Sequence, residues 1–172
     1  MAPYFVILPL AAYLPMFAYE IYIAFRRIGK PQDKGGTYLH ATWESTHTFL
    51  VLSVNYFVWL YSSAVVAVGH AVFLPLTLFG AAFIFRATLY VKLFYIKTSH
   101  TRVNRLLDHL FAWTHIVMLG CLLSILINTL RVLSEGNYQP NNLLPSLLWP
   151  GLVLMVPLIS VPLYFLYRTN GK

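Results

Sequence analysis

The sequence predicts an all-α integral membrane protein, a five-transmembrane-helix bundle with its N-terminus outside and its C-terminus inside. Three observations predict it: an apolar composition, five long apolar stretches, and a one-sided distribution of basic residues. Of the 172 residues, 59% are hydrophobic and 10% are charged. A soluble domain has about 45–50% apolar and about 25% charged residues, so one globular core could not bury this much apolar surface. The composition therefore excludes an ordinary soluble enzyme, a disordered chain and a nucleic-acid-binding domain.

Five apolar stretches are each long enough to cross a bilayer, which takes about 20 residues per helix. No Lys or Arg precedes the first stretch, which is also too long for the core of a signal peptide, so we expect a retained span. We treat residues 1–172 as a single transmembrane domain. The predicted spans are approximately 4–25, 41–63, 72–96, 106–130 and 144–167.

Polar segments between the stretches support these limits. The first span ends at the Arg26-Arg27 pair, and a turn at Gly69-His70 is expected before the third span. A segment rich in Asn, Gly and Pro at 135–142 predicts a loop before the fifth span. The fifth span contains four prolines, each of which removes a backbone donor, so we expect a kinked helix there.

The basic residues predict the orientation, because cytoplasmic loops carry the excess of Lys and Arg. The opposite side has only Arg131, and Arg86 and Lys92 lie within the third span. This asymmetry predicts a multi-pass protein of the inner cell membrane or of an equivalent energy-converting organelle membrane. Nine of the twelve basic residues fall on the predicted inner side: Arg26, Arg27, Lys30, Lys34, Lys97, Arg102, Arg105, Arg168 and Lys172.

Ionisable side chains inside a span cost about 2.5–3.5 kcal/mol each on insertion scales, so they mark candidate functional sites. The predicted spans contain five charged residues: Glu20, Glu44, Arg86, Lys92 and Asp108. Four histidines lie in or beside the same spans: His40, His47, His109 and His115. From this set we expect a supporting polar network, acting as ion pairs or as a proton relay, made of Glu20, Arg86, Lys92 and His109.

A candidate metal site begins on the second span. His40, Glu44 and His47 are spaced i, i+4, i+7, which places them on one face of a helix. Together with Asp108 they offer imidazole and carboxylate ligands suited to a copper or iron ion. A complete di-iron site is not expected, because it needs a second Glu-x-x-His motif and further glutamates.

The candidate cofactor ligands are His47 and His115. Asp108 and His115 are seven residues apart and share a face of the fourth span, while His109 points about 100° away. If the second and fourth spans touch, His47 and His115 approach at similar depth, and two neutral imidazoles from different helices can bind a haem b. Helix packing without a cofactor is the alternative. A single cysteine, Cys121, excludes a disulfide framework.

Five spans with histidines inside the membrane are broadly similar to the haem-bearing membrane anchors of respiratory enzymes, such as the nitrate reductase gamma subunit. The similarity is architectural and transfers no residue roles, because the last span here has no histidine pair. We expect a small multi-pass subunit of a larger redox or energy-converting membrane complex. It would anchor other membrane protein subunits in the lipid bilayer and hold a haem b or a metal ion.

Three alternatives stay open at this stage. The same polar residues could serve an ion- or proton-coupled transporter or channel. The chain could also be a structural scaffold subunit without a cofactor. The third is intramembrane catalysis, for instance by a metal-dependent oxygenase assembled with other subunits, with His40, Glu44, His47 and Asp108 as metal ligands. An accessory role in a membrane enzyme complex is favoured over catalysis by this chain alone, because its predicted loops are too short to form a catalytic domain.

Overall fold

The computed structural model describes residues 4–29, 34–94 and 101–141, together with 149, 150, 153, 155–157, 159, 160, 164 and 168. The side chains of 34–45, 94 and 101–104 are not among those described. Within the described part the regular structure is entirely helical, which confirms the all-α class. The α-helices with defined ends are α1 (Tyr4–Arg26), α2 (Lys34–Leu60), α3 (Val65–Phe94) and α4 (Thr101–Glu135).

Among the described residues, three helices are long and apolar enough to cross a membrane: Tyr4–Arg26, Ser62–Leu93 and Arg105–Glu135. Helix α2 runs from Lys34 to Leu60, and the part of it with described side chains contains the apolar segment Thr46–Leu60. Most of the fifth predicted span, 144–167, lies outside the described residues, and the residues described within it are helical. The structure thus provides helices that are compatible with a lipid bilayer.

The boundary between the second and third spans differs from the sequence prediction. The turn expected at Gly69-His70 is wrong, since both residues lie inside α3. The break comes earlier, at Tyr61 and the short 3₁₀ helix Ser62–Ala64. Glycine costs only about 1 kcal/mol inside a helix, whereas breaking a helix in an apolar environment exposes several backbone groups. The loop after α4 is confirmed at 136–141.

Residue contacts divide the chain into two compact units. In the first unit, Phe5 of α1 packs edge-on against Tyr56 of α2, with ring centroids 5.9 Å apart, and both are buried beside Leu60. Nearby, the hydroxyl of Ser53 donates to the carbonyl of Val6 at 2.7 Å. These contacts pair α2 with the first part of α1. The first unit comprises residues 1–20, 32–63 and 138–172.

In the second unit, α3 and α4 pack against each other. Each helix buries one face and leaves the opposite apolar face exposed, the pattern of a helix with a single packed side. The buried face of α4 carries Phe111, Ala112, Met118 and Leu122. The exposed face of α3 carries Phe73, Ile84 and Val91. This unit comprises residues 21–31 and 64–137.

Candidate functional site

Helix α4 brings two of the predicted site residues, Asp108 and His115, onto one buried face. Asp108 and His115 are 5% and 0% exposed, whereas His109 is exposed. Helical geometry explains this arrangement, because seven residues complete about two turns and one residue rotates the side chain by about 100°. The prediction that Asp108 and His115 share a face, and that His109 leaves it, is confirmed.

The carboxylate of Asp108 links the start of α4 to the end of α1. Arg27 Nη2 donates to Asp108 Oδ1 at 3.0 Å, and the backbone N–H of Gly29 donates to Oδ2 at 3.1 Å. Both side chains of this ion pair are buried, at 7% and 6% exposed. Charge-assisted hydrogen bonds of this kind are the strong ones in proteins. We refer to Arg27, Gly29, Arg105 and Asp108 as the Asp108 cluster.

Two features of the structure favour glycine at position 29. Its φ is +70°, in the left-handed region that other residues rarely adopt and that is common just past a helix C-terminus. A Cβ atom at this position would also lie 2.9 Å from Nε of Arg105. Glycine therefore lets the Arg105 side chain lie directly against the turn that follows α1.

The sequence does not predict the role of Arg27, because Arg26 and Arg27 both appear in it as basic residues that mark the end of the first span. In the structure Arg26 is exposed, and its Nη1 atom lies 3.4 Å from the hydroxyl of Tyr22. Arg27 is instead 6% exposed and paired with Asp108. The only sequence signal was Asp108 itself, since a carboxylate inside an apolar span needs a basic partner.

His115 lies one further turn along α4 from Phe111. Its Nδ1 atom is 2.7 Å from the carbonyl oxygen of Phe111. Because a carbonyl oxygen only accepts, Nδ1 must carry the proton. In the neutral imidazole the lone pair is then on Nε2, which is also buried. Proteins commonly orient metal-binding histidines in this way, with one ring nitrogen bonded to a backbone carbonyl.

Arg86 of α3 reaches the same part of the second unit and is only 1% exposed. Its Cζ atom lies 5.7 Å from the centroid of the Phe111 ring. The Phe111 ring in turn meets the His115 ring edge-on, at 4.7 Å between centroids and 79° between planes. We refer to Arg86, Phe111 and His115 as the His115 cluster, which places a buried cation and a buried imidazole against one aromatic ring.

The first unit holds a different buried polar group. Glu20 of α1 is 0% exposed, and Oγ1 of Thr46 donates to its Oε1 at 2.7 Å. Thr46, which is also 0% exposed, was missed because nothing local distinguishes it from neighbouring hydroxyl residues of α2. The next residue, His47, is half-buried.

The ligand predictions that combine several helices remain predictions. His40 and Glu44 lie in α2, but their side chains fall outside those described. His47 belongs to the first unit, and His115 with Asp108 to the second. Among the described side chains, no three from His, Cys, Asp and Glu gather as a metal site. The predicted polar network divides into two buried members, Glu20 and Arg86, and two exposed members, Lys92 and His109.

In the part of the chain that the structure describes, the protein is all-helical, with three helices suited to span a membrane and with polar groups buried on packed helix faces. Comparison of the chain with protein-family models, with curated proteins and with solved structures finds no match. Its function must therefore be inferred from the chemistry of its own residues.

Proposed function

We propose that the chain is a small multi-pass subunit of a larger redox or energy-converting membrane complex, in which His115 binds a haem b or a metal ion. One observation carries this proposal: the hydrogen bond of Nδ1 to the Phe111 carbonyl directs the proton to Nδ1, so that in the neutral imidazole Nε2 carries the lone pair that a ligand atom needs. The imidazole is therefore already in the tautomer that an axial ligand requires.

The surroundings of His115 support a cofactor rather than a solvated role. Ala112 and Met118, on the same face of α4, are both 0% exposed, so the site excludes water. Burial of this kind is one of the means by which a protein sets a reduction potential. Arg86 adds a positive charge beside the same aromatic ring, where it would offset an anionic group on a ligand.

The membrane part of the proposal is a five-span bundle with its N-terminus outside, in an inner or equivalent energy-converting membrane. The uneven distribution of basic residues supports that orientation. Exposed apolar faces on α3 and α4 support contact with lipid or with partner subunits. An anchoring subunit would use such faces to hold its partners in the bilayer.

Reduced-minus-oxidised absorption spectra of the full chain, purified in mild detergent from its own membranes, test the cofactor. We expect a haem signal that falls more than about tenfold in His115→Gln. His109→Gln is the matched control, because His109 is an exposed histidine on the same helix and should leave the signal unchanged. Metal analysis of the same samples distinguishes haem from a copper ion. A wild-type chain with neither chromophore nor stoichiometric metal would contradict the proposal.

A second candidate function is favoured by the Glu20–Thr46 hydrogen bond. A fully buried carboxyl group with a hydroxyl donor at 2.7 Å can bind a proton or a cation inside a membrane helix. In an ion- or proton-coupled transporter, Glu20→Gln should abolish flux in proteoliposomes, and Thr46→Val should reduce it. Equal flux in wild type and Glu20→Gln would exclude this function.

A further inference from the structure

We propose that Arg26 and Arg105 form a binding site for the phosphate of an anionic lipid. The inference does not depend on the proposed cofactor, since it concerns only the Asp108 cluster and its surroundings. The shared chemistry is a negatively charged phosphate group, and we assign it to a lipid rather than to free phosphate.

The first observation is an excess of positive charge around the Asp108 cluster. Arg27 binds the Asp108 carboxylate, Arg105 lies against Gly29 of the same cluster, and Arg26 directly precedes Arg27 at the end of α1. Arg27 is paired with that carboxylate and buried. Arg26 and Arg105 are exposed, and neither forms an ion pair with a described side chain. Two positive charges therefore remain available for an anionic ligand.

The second observation is the position of the two arginines along α1 and α4. Arg26 is the last residue of α1, and Arg105 lies in the second turn of α4, which begins at Thr101. Gly29, three residues after Arg26, allows the Arg105 guanidinium to lie against the turn. Both charges thus lie at the ends of apolar spans, where lipid headgroups are found.

The neighbouring exposed residues favour a lipid over a free ion. Tyr22 and Trp113 are 53% and 57% exposed, and Leu106, next to Arg105, is 62% exposed. Trp113 packs edge-on against Phe25 with ring centroids 5.8 Å apart. Exposed aromatic rings beside basic residues are typical of the membrane interface. A guanidinium can hold the phosphate through paired hydrogen bonds while the apolar side chains contact the acyl chains.

The test uses the full chain reconstituted in bilayers of phosphatidylcholine and phosphatidylglycerol, with the retained lipids measured by mass spectrometry after extraction and purification. We expect enrichment of phosphatidylglycerol around the wild-type chain. Arg26→Gln and Arg105→Gln should each reduce this enrichment about fivefold, which corresponds to about 1 kcal/mol per basic residue near a membrane surface. Both side chains are exposed, so these variants should keep the thermal stability of the wild type.

Arg131→Gln is the matched control, because Arg131 is an exposed arginine on α4, about 39 Å along the helix from Arg105 at 1.5 Å per residue. It should leave the enrichment unchanged. A large excess of inorganic phosphate should not displace the lipid. The proposal is overturned if the wild type shows no preference, if Arg131→Gln lowers the enrichment equally, or if inorganic phosphate competes fully.

Discussion

At the scale of single residues, the pair Arg27 and Asp108 should have a large effect on stability. Their side chains are buried and meet at 3.0 Å. Removing one partner of a buried ion pair leaves the other charge uncompensated, which typically costs about 3–5 kcal/mol. We expect Arg27→Gln and Asp108→Asn each to lower the free energy of unfolding by about 3 kcal/mol, as measured by chemical denaturation in detergent micelles.

The double variant tests whether the two residues act as a pair. Once both charges are removed, no isolated charge remains, so the combined loss should be much smaller than the sum of the single losses. The exposed i, i+4 pair of Arg131 and Glu135, with its charged atoms 4.0 Å apart, is the control. Arg131→Gln should change stability by no more than about 0.5 kcal/mol. Fully additive losses in the double variant would argue against the pair.

Gly29 gives a second prediction at this scale. Alanine at a φ of +70° costs about 1–2 kcal/mol, and its Cβ would also displace Arg105. Gly29→Ala should therefore lower the free energy of unfolding by at least that amount. Gly69→Ala is the control, because Gly69 is helical and an added Cβ meets nothing within 4 Å. Equal effects of the two substitutions would show that the turn at Gly29 is not strained by a side chain.

At the scale of helices, the sequence predicts which residues share a face of one helix. It does not predict which residues of different helices pair. That Asp108 and His115 share a buried face follows from helical periodicity alone, so it could be predicted. The pairing of Arg27 with Asp108 joins residues 81 positions apart. The local sequence does not show which of the two adjacent arginines is buried, because burial depends on how the end of α1 packs against another helix.

Helix ends show the same limit. The loop after α4 was predictable, since Asn, Gly and Pro cluster there. The start of α3 was not, because a lone Gly69-His70 pair resembles a turn although the helix continues through it. In an apolar environment the backbone retains its helical hydrogen bonds across such residues, since their loss would cost several kcal/mol per unsatisfied group. Glycine in a membrane helix is therefore a weak boundary signal.

The two faces of α3 give a prediction for the whole helix. Ile84 is 69% exposed on the apolar face, and Leu89 is 5% exposed on the packed face. Spin labels at Ile84→Cys and Leu89→Cys, each in a Cys121→Ser background, should differ in bilayers. The label at 84 should collide freely with oxygen but not with a water-soluble nickel complex, and the label at 89 should be immobile. High nickel accessibility at 84 would show that this face of α3 does not contact lipid.

At the scale of the whole molecule, the few charged residues fall into two kinds. One kind is buried and comprises Glu20, Arg86 and Asp108 within helices, together with Arg27 in the turn after α1. The other kind is exposed and includes Arg26, Arg105 and Arg131. The buried charged residues mark the positions at which this apolar chain could bind an ion, a proton or a polar ligand. The exposed kind is the basis of the predicted orientation, because charges outside the spans resist transfer across the bilayer.

The orientation is itself testable with cysteines placed on either side of the fifth predicted span, 144–167. Gly136 is exposed in the turn after α4 and lies on the predicted outer side, whereas Lys172 lies on the predicted inner side. In a Cys121→Ser background, a membrane-impermeant maleimide should label Gly136→Cys in right-side-out vesicles. It should label Lys172→Cys only after permeabilisation. Labelling of both positions from the outside would mean that 144–167 does not cross the membrane, and exchange of the two results would mean that the chain is inverted. The expected result follows from the nine basic residues on the predicted inner side, since segments rich in Lys and Arg are retained in the cytoplasm.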